Sequence, residues 1–535
     1  MGRQPAGLGP RHVHSSRARA AEVLIIELLT GHRGTGWYDR HVKLPNFYGV
    51  MAQVVAAWCR QLGAAPTYRT YTGNEPLEDL VRGEWKVVFI SSYTRTADAA
   101  YALALHFASR DAVTVLGGPH ALAYPADALR IFDYVVGLTD VEVVRQILEE
   151  RLVTREGLGQ WLSAARHPPQ LPSLRERAPF LRTALASTQW LHTIPMLSSL
   201  GCPYSCAFCS DAETPFQPLD LESLEEDIRF AGVAFPGALL FWHDPTFGVR
   251  FDATLSAIER GRGSAHIRFG AETSLSLLTG DRPERLARAN FVAMLPGIEQ
   301  WGQPDPKVGF GNACGRDKLE LAVSRVTELL RWVPYVQVNF IFGLDWEQQS
   351  DYDLTAEFVK RVPGAWPNFN VITAYGEASP LSTSLLSSGR QLPVPYSLLD
   401  QKTCPNIRMP GDALQVMLAR LLALAEMTFG VRHTLRRIGT GRLGVRLINL
   451  LRARGHDQRQ RLAWYRQLHA ALTTDADIRA FFAGVTPRLP ALLRRLARDR
   501  TAAFRPLLPL KSSRWLETGT PRFHDLSFEG YDAVP

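Results

Sequence analysis

Three closely spaced cysteines carry the clearest chemistry in this chain. Cys202, Cys206 and Cys209 stand at CxxxCxxC spacing within Gly201–Cys202–Pro203–Tyr204–Ser205–Cys206–Ala207–Phe208–Cys209. One loop holding three thiolates can wrap one face of a 4Fe–4S cube. The fourth iron then has no protein ligand and stays open to chelate a small molecule. Electron-transfer ferredoxins differ, because four cysteines close each of their clusters. A zinc ion is the alternative, but zinc usually takes four ligands, often as two close pairs. No second pair accompanies this loop, since Cys314 and Cys404 stand alone. A buried cluster of inert cysteines is the remaining structural reading.

Such a loop needs a rigid strand behind it, and the flanking sequence supplies a repeating frame. Apolar runs at 196–200, 239–243, 267–271, 291–295, 335–342 and 368–373 read as strands. Helical patterns at 221–231, 252–260, 282–288, 316–332 and 352–361 separate them. This alternation over residues 190–390 predicts a partial (β/α)6, TIM-like barrel with its chemistry at the carboxyl ends of the strands. Polar residues fall at those ends: Asp244, Glu272 and the run Gly297–Ile298–Glu299–Gln300.

A second frame lies upstream, over residues 22–150. Strands are expected at 23–28, 87–90, 113–116 and 133–136, with helices at 48–62 and 97–109. A third helix runs to Glu150 behind a capping box of Thr139 and Glu142. The pattern predicts a doubly wound, Rossmann-like parallel sheet, which binds ligands outside its strand ends. Those ends are Ser91–Ser92, Gly117–Gly118–Pro119–His120 and Gly137, all loops rich in small residues that let a flat ligand approach closely. Residues 151–189 read as a linker with a helix or two. Residues 1–21 contain no Asp or Glu and are broken by Gly, Pro and Ser, which predicts a disordered N-terminus without a secretory core. Residues 391–535 read as a helical region with helices at 412–429, 443–452, 460–472 and 492–497. The fold class expected is α/β.

The cysteine loop, with the aromatic Phe208 before its third cysteine, resembles the signature of the radical S-adenosylmethionine (SAM) superfamily. Trp242–His243–Asp244–Pro245–Thr246–Phe247 is similar to its second-strand motif. Gly297–Ile298–Glu299–Gln300 resembles the Gly-Ile-Glu-Ser motif of the fourth strand, with Gln300 in place of Ser. Phe340–Ile341–Phe342–Gly343–Leu344 resembles the segment that packs beside adenine. The upstream domain resembles the cobalamin-binding domain that precedes many of these enzymes, through Lys43–Leu44–Pro45, Ser91–Ser92, Gly117–Gly118–Pro119–His120 and the strand end at Gly137. It lacks the DxHxxG motif, and it reads Gly137–Leu138–Thr139–Asp140 where relatives usually read Gly-Glu-Gly-Glu. The resemblance covers roughly residues 85–390.

The resemblance implies a 4Fe–4S cluster on Cys202, Cys206 and Cys209. It implies SAM contacts from Phe208, Asp244, Glu272, Gly297, Glu299 and Phe342. It implies cobalamin contacts from Leu44, Ser91, Ser92, Gly117, Gly118, Pro119, His120 and Gly137. The activity implied is reductive SAM cleavage that generates a radical, used for cobalamin-dependent methylation of an unactivated carbon in a small molecule or natural-product intermediate. An electron donor such as flavodoxin or ferredoxin goes with it. A radical enzyme without cobalamin, or one that rearranges or oxidises without methylating, is the second reading. Methylthiotransfer fits less well, because Cys59 is the single cysteine of the N-terminal domain. No catalytic acid or base is assigned.

Composition bounds these readings. The 535 residues are 46% hydrophobic and 21% charged, as expected of a globular protein. No apolar run reaches the ~20 residues of a membrane span. Six cysteines with no framework spacing suit a reducing, cytoplasmic setting. The net charge of +8 is concentrated at the end, where residues 401–535 carry 23 basic and 10 acidic side chains. No nucleic-acid motif accompanies that charge, so a solvated helix surface is its expected role. A non-catalytic iron–sulfur or zinc protein that meets a partner through this basic region is the reading from another class.

Overall fold

The computed structural model describes residues 22–31, 48–151, 157–185, 193–305, 307–409, 412–439 and 443–507. The expected N-terminal segment 1–21, Leu44 and the tail beyond 507 lie outside the described residues.

Six parallel strands form the first sheet: β1 (Glu22–Leu28), β2 (Ala65–Tyr71), β3 (Val87–Ser92), β4 (Val113–Gly117), β5 (Tyr134–Val136) and β6 (Gln160–Leu162). Their order is β2-β1-β3-β4-β5-β6. The central strands are near-continuous apolar runs because both faces are covered, as in doubly wound sheets generally. The winding reverses between β1 and β3, so the ligand crevice of this topology lies outside Ser91–Ser92.

Two strands go beyond the expected four. β2 lies at the edge with only Tyr68 and Tyr71 buried, and Pro66 is tolerated there. Its polar alternation hides it from a search for apolar runs. β6 is three residues long and falls within the expected linker, with the helix Leu174–Leu185 after it. The helix to Glu150 is capped by Asp140, which accepts from the Val143 amide, rather than by the expected Thr139–Glu142 box.

The second sheet begins at β7 (Thr193–Met196). After it come a short antiparallel pair, β8 (Ser199–Leu200) with β9 (Gln217–Pro218), and then β10 (Leu239–Phe247), β11 (Arg268–Ser274), β12 (Phe291–Glu299), β13 (Tyr335–Phe342) and β14 (Trp366–Val371). The order β7-β10-β11-β12-β13-β14 is sequential and parallel throughout, with a helix after each strand from β10 to β13 and Leu221–Ala234 before β10. This is an open (β/α)6 barrel. The expected first strand at 196–200 is corrected to 193–196. The chain turns at Leu197–Ser198 because a buried side chain, described below, captures the next two amides.

Alternate residues of β13 and β14 face different surroundings. Val336, Val338, Phe340 and Phe342 are buried toward the covering helices, where Phe340 meets Trp301 and Phe358. Gln337, Asn339, Asn368 and Asn370 stay half-buried on the lumen side. The lumen is therefore polar on this wall.

C-terminal helices brace the chain that follows β14. Trp464 Nε1 donates to the Thr403 carbonyl at 2.7 Å and the Tyr465 hydroxyl to the Lys402 carbonyl at 2.7 Å. Arg500 reaches the Ser397 carbonyl at 2.6 Å and Asp400 at 3.0 Å. Among the described residues no single helix is long and apolar enough to cross a membrane.

One buried acid in the first sheet makes its stability pH-dependent. Glu27, 3% exposed, accepts from the Gly49 amide at 2.5 Å and from the Tyr68 hydroxyl. Burial outweighs these bonds and pushes its pKa up to about 7. The folded state therefore binds the proton more tightly than the unfolded chain. The associated stability is present at low pH and lost as pH rises through about 7. Between about pH 5 and about pH 8, the wild type should lose up to about 3 kcal/mol relative to Glu27→Gln, measured by urea unfolding at each pH.

Candidate active site at the carboxyl edge of the barrel

Asp244, within β10, fixes the entry to the cysteine loop. Its carboxylate is fully buried and accepts from the Ser198 amide at 2.9 Å and the Ser198 hydroxyl at 3.1 Å. It also accepts from the Ser199 amide, and from the Ser199 hydroxyl at 2.8 Å. Burial raises its pKa to about 6 against the pull of these donors. Every described partner of Asp244 belongs to Ser198–Ser199, so its task here is to hold the loop.

The loop then closes on itself. Gly201 takes φ +66, and a Cβ there would stand 2.2 Å from the Pro215 carbonyl, so only glycine fits. The Cys202 amide donates to Thr214 at 3.3 Å, and β8–β9 zips the base. Ala207 accepts from the Leu381 amide at 2.8 Å. Phe208 packs on the apolar cluster of Leu344, Ile372, Ala374, Leu385 and Ile407, which seats one flank of the loop.

All three loop cysteines are free thiols. Cys202 is buried with its sulfur 3.5 Å from Thr246 Oγ1, and Cys206 and Cys209 are half-buried. Burial, with Asp305 beside Cys206 and Asp211 beside Cys209, pushes these two thiols up to about 12 and about 11. Holding these two as thiolates therefore calls for a strongly cationic group beside them, and an iron cube meets that requirement. Among the described residues no three His, Cys, Asp or Glu side chains are arranged to hold one metal ion. A cube makes no such demand, since it takes one thiolate on each of three irons.

Opposite the loop stand two carboxylates and a lysine. Glu299 closes β12 at φ +65, a left-handed conformation uncommon outside glycine. Its side chain folds back over Gly297, where a Cβ would lie 1.9 Å from Glu299 Oε1. That explains the Gly-x-Glu spacing. Burial pushes Glu299 up to about 7, opposed by Lys307. Glu272 is open to the lumen, yet protein atoms around it raise its pKa, with Lys307 again opposing. Lys307 is drawn toward Glu299 and all three cysteines, and together they raise its pKa despite burial. Ser274 fixes its position by donating to the Lys307 carbonyl, and Ser276 bridges at 2.8 Å and 3.4 Å from Ser274 to Tyr204 of the cysteine loop.

A crevice beside Glu299 is walled by Gln300, Trp301, Phe340, Ile341 and Phe342. Phe342 stacks on Tyr352 at 5.2 Å, and Glu347 at the floor accepts from the Gly343 amide at 2.7 Å. Phe342 thus lies behind Glu299 on the helix side of the sheet, while Glu299 folds over Gly297 at the end of the strand.

The carboxyl edges of the two sheets face each other. The Glu377 amide donates to Ala123 at 3.1 Å, Tyr396 to Asp127 at 2.8 Å and the Ser397 amide to Asp98 at 3.2 Å. Tyr93, just beyond β3, is 38% exposed in the space between and feels the Glu272 charge. Ser91 and Gly117 are half-buried at this edge, and Gly117 has open space where a side chain would project. Gly118 has φ +92 and packs on the Ser92 backbone. Ser92 is buried with its hydroxyl 2.8 Å from Thr96 Oγ1, while Pro119 is exposed. Gly137 packs against Trp161 of β6. His120 is fully buried, with its ring nitrogens 2.9 Å from Tyr101 and 3.4 Å from Thr94, so it faces inward among aromatic rings. Ser91, Tyr93 and Gly117 thus border the space between the sheets, and His120 is turned away from it.

Lys307 and the lumen amides escaped the sequence reading. Lys402 joins the amides, donating to Asn368 Oδ1 at 2.7 Å and Asn370 Oδ1 at 2.5 Å. Lys307→Met should raise the apoprotein's Cys206 and Cys209 pKa values further and slow their alkylation by iodoacetamide severalfold at about pH 8. Lys307→Arg should retain the rate.

No family model matches the chain. It is similar to bacteriochlorophyllide d C-12(1)-methyltransferase of Chlorobaculum tepidum, 23% identical over 304 residues, covering 54% of this chain and 64% of that protein. It is also similar to bacteriochlorophyllide d C-8(2)-methyltransferase of the same organism, 25% identical over 312 residues, covering 55% of this chain and 67% of that protein. The match to the first relative thus spans less than two-thirds of its length. A solved structure, the radical SAM methyltransferase TsrM from Kitasatospora setae with cobalamin and a 4Fe–4S cluster bound, aligns at TM-score 0.49 and 12% identity over 69% of this chain and 75% of that one. The doubly wound sheet, the open six-stranded barrel and the three-cysteine loop between them have the architecture implied by the chain's resemblance to radical SAM enzymes with an N-terminal cobalamin-binding domain.

Proposed function

We propose that this chain is a radical SAM enzyme that methylates an unactivated carbon of a small molecule with the help of cobalamin. One observation carries the reading: three free cysteines on a braced loop face Glu272, Glu299 and Lys307 at the carboxyl edge of an open barrel. The curated relatives, both named as methyltransferases, support the methylation half.

Cys202, Cys206 and Cys209 would hold the cluster, and Glu272 and Glu299 would accept hydrogen bonds from the amino group or ribose of SAM. Lys307 would meet its carboxylate. Phe342 and Gly343 would pack beside adenine, as the resemblance to the family's fifth-strand segment implies. Ser91, Gly117 and Gly118 would approach the corrin, with Ser92, Pro119, His120 and Gly137 shaping the loops behind. When bound, these groups supply an organic radical and a methyl carrier, and the protein's share is to orient them and keep water away. Gln337, Asn339, Asn368 and Asn370, tied to one another and to Lys402 and Arg452, would give this wall a polar lining toward a substrate.

The test begins with anaerobic reconstitution with iron, sulfide and hydroxocobalamin, followed by desalting. Dithionite and SAM are then added, and the products are separated. Retained corrin absorption, with both 5′-deoxyadenosine and S-adenosylhomocysteine formed, is the expected result. Glu299→Ala should keep its iron and lose turnover on the order of a hundredfold. 5′-Deoxyadenosine alone, without retained corrin, would favour the non-methylating radical enzyme. Neither product, from protein carrying zinc, would overturn both.

A further inference from the structure

Two packed helices near the C-terminus are built inside out. In Val431–Gly439, the side chains facing the protein are polar: His433, Thr434 and Arg437 are buried. The exposed face carries Val431 and Leu435, 57% and 59% exposed. Leu443–Arg454 buries Asn449 and Ala453 and leaves Leu447 and Leu450 exposed. A helix of a water-soluble domain normally turns its apolar stripe inward, so exposed leucines in groups mark a contact surface.

The charge around them is one-sided. No Asp or Glu occurs anywhere in residues 427–456. Arg432, Arg436 and Arg446 are exposed beside the apolar residues. Burial and the Arg437 and Arg436 charges push His433 down to about 4.

We propose that the helices Val431–Gly439 and Leu443–Arg454 form a docking surface for an anionic phospholipid bilayer, with Val431, Leu435, Leu447 and Leu450 entering the acyl boundary and Arg432, Arg436 and Arg446 meeting the headgroups. Helices with an apolar face and an arginine-rich rim lie in the interface plane in this way, without crossing the membrane. Charge selects this occupant over a second copy of the chain, because a two-fold contact would set one acid-free arginine patch against another. It is also preferred over nucleic acid, since exposed aliphatic side chains gain little on a phosphate backbone. Arg452 of the second helix reaches Tyr335 and Gln337 at the amino end of β13, opposite the carboxyl edge that holds the cysteine loop, so the inference is independent of the reaction.

The experiment is sedimentation of the full-length, reconstituted protein with large vesicles. One set is phosphatidylcholine alone, and the other is phosphatidylcholine and phosphatidylglycerol at two to one. The protein should pellet with the anionic vesicles only, and high salt should release it. Leu435→Asp combined with Leu447→Asp should weaken binding at least tenfold while leaving the melting temperature and SAM cleavage unchanged. If that variant folds poorly, Arg432→Glu with Arg436→Glu, on the same exposed surface, should weaken it comparably. Failure to pellet with anionic vesicles would overturn the proposal. So would equal pelleting with neutral vesicles, a dimer in light scattering that Leu435→Asp dissolves, or tighter binding to duplex DNA that the leucine substitutions leave untouched.

Discussion

A single buried carboxylate decides where the barrel stops and the reactive loop starts. Asp244 takes the amides and hydroxyls of Ser198 and Ser199, which would otherwise continue β7. A charge or hydrogen-bonding group buried at this depth must be matched, and these serines match it. The chain is thereby turned outward at the carboxyl end of the sheet. Gly201 can then pass under Pro215, and the three cysteines follow within one turn of loop. The thiols inherit their position from β10, a strand held on both sides, rather than from the loop itself.

The second constraint is the meeting of two sheet edges. Both parallel sheets end toward the same space, and the segments after β14 lock that arrangement through Ala123, Asp127 and Asp98. Arg500, Trp464 and Tyr465 then hold those segments from the far side. The helical region thus sets the width of the space between Tyr93 and Glu272.

Much of this was legible in the sequence, for identifiable reasons. Buried parallel strands are apolar on both faces, so β1, β3 and β4 stood out as runs. The cysteine spacing and the order of strand-end acids marked the barrel's reactive edge. Edge strands did not stand out, because β2 keeps a polar face and β6 has three residues. Asp244 was legible as a strand-end acid, but its neighbours were not, since nothing local ties it to serines 45 residues earlier. Lys307 sits in an aperiodic stretch between β12 and the helix Gly315–Trp332. A signal did exist: the chain has only 7 lysines beside 53 arginines, so each lysine is a departure from its habit. Three of them, Lys307, Lys318 and Lys402, are drawn inside. The alternation Gln337–Val338–Asn339 was likewise a visible mark of a polar wall on this strand.

The central claim is that the three thiols hold a cluster whose fourth iron is open to SAM. Electron paramagnetic resonance on the dithionite-reduced, reconstituted protein, recorded with and without SAM, addresses it directly. The account predicts the signal of a one-electron-reduced 4Fe–4S cluster whose g-values shift when SAM is added. A reduced cluster signal that SAM leaves unchanged, or protein that takes up zinc and gives no iron–sulfur signal, would contradict it.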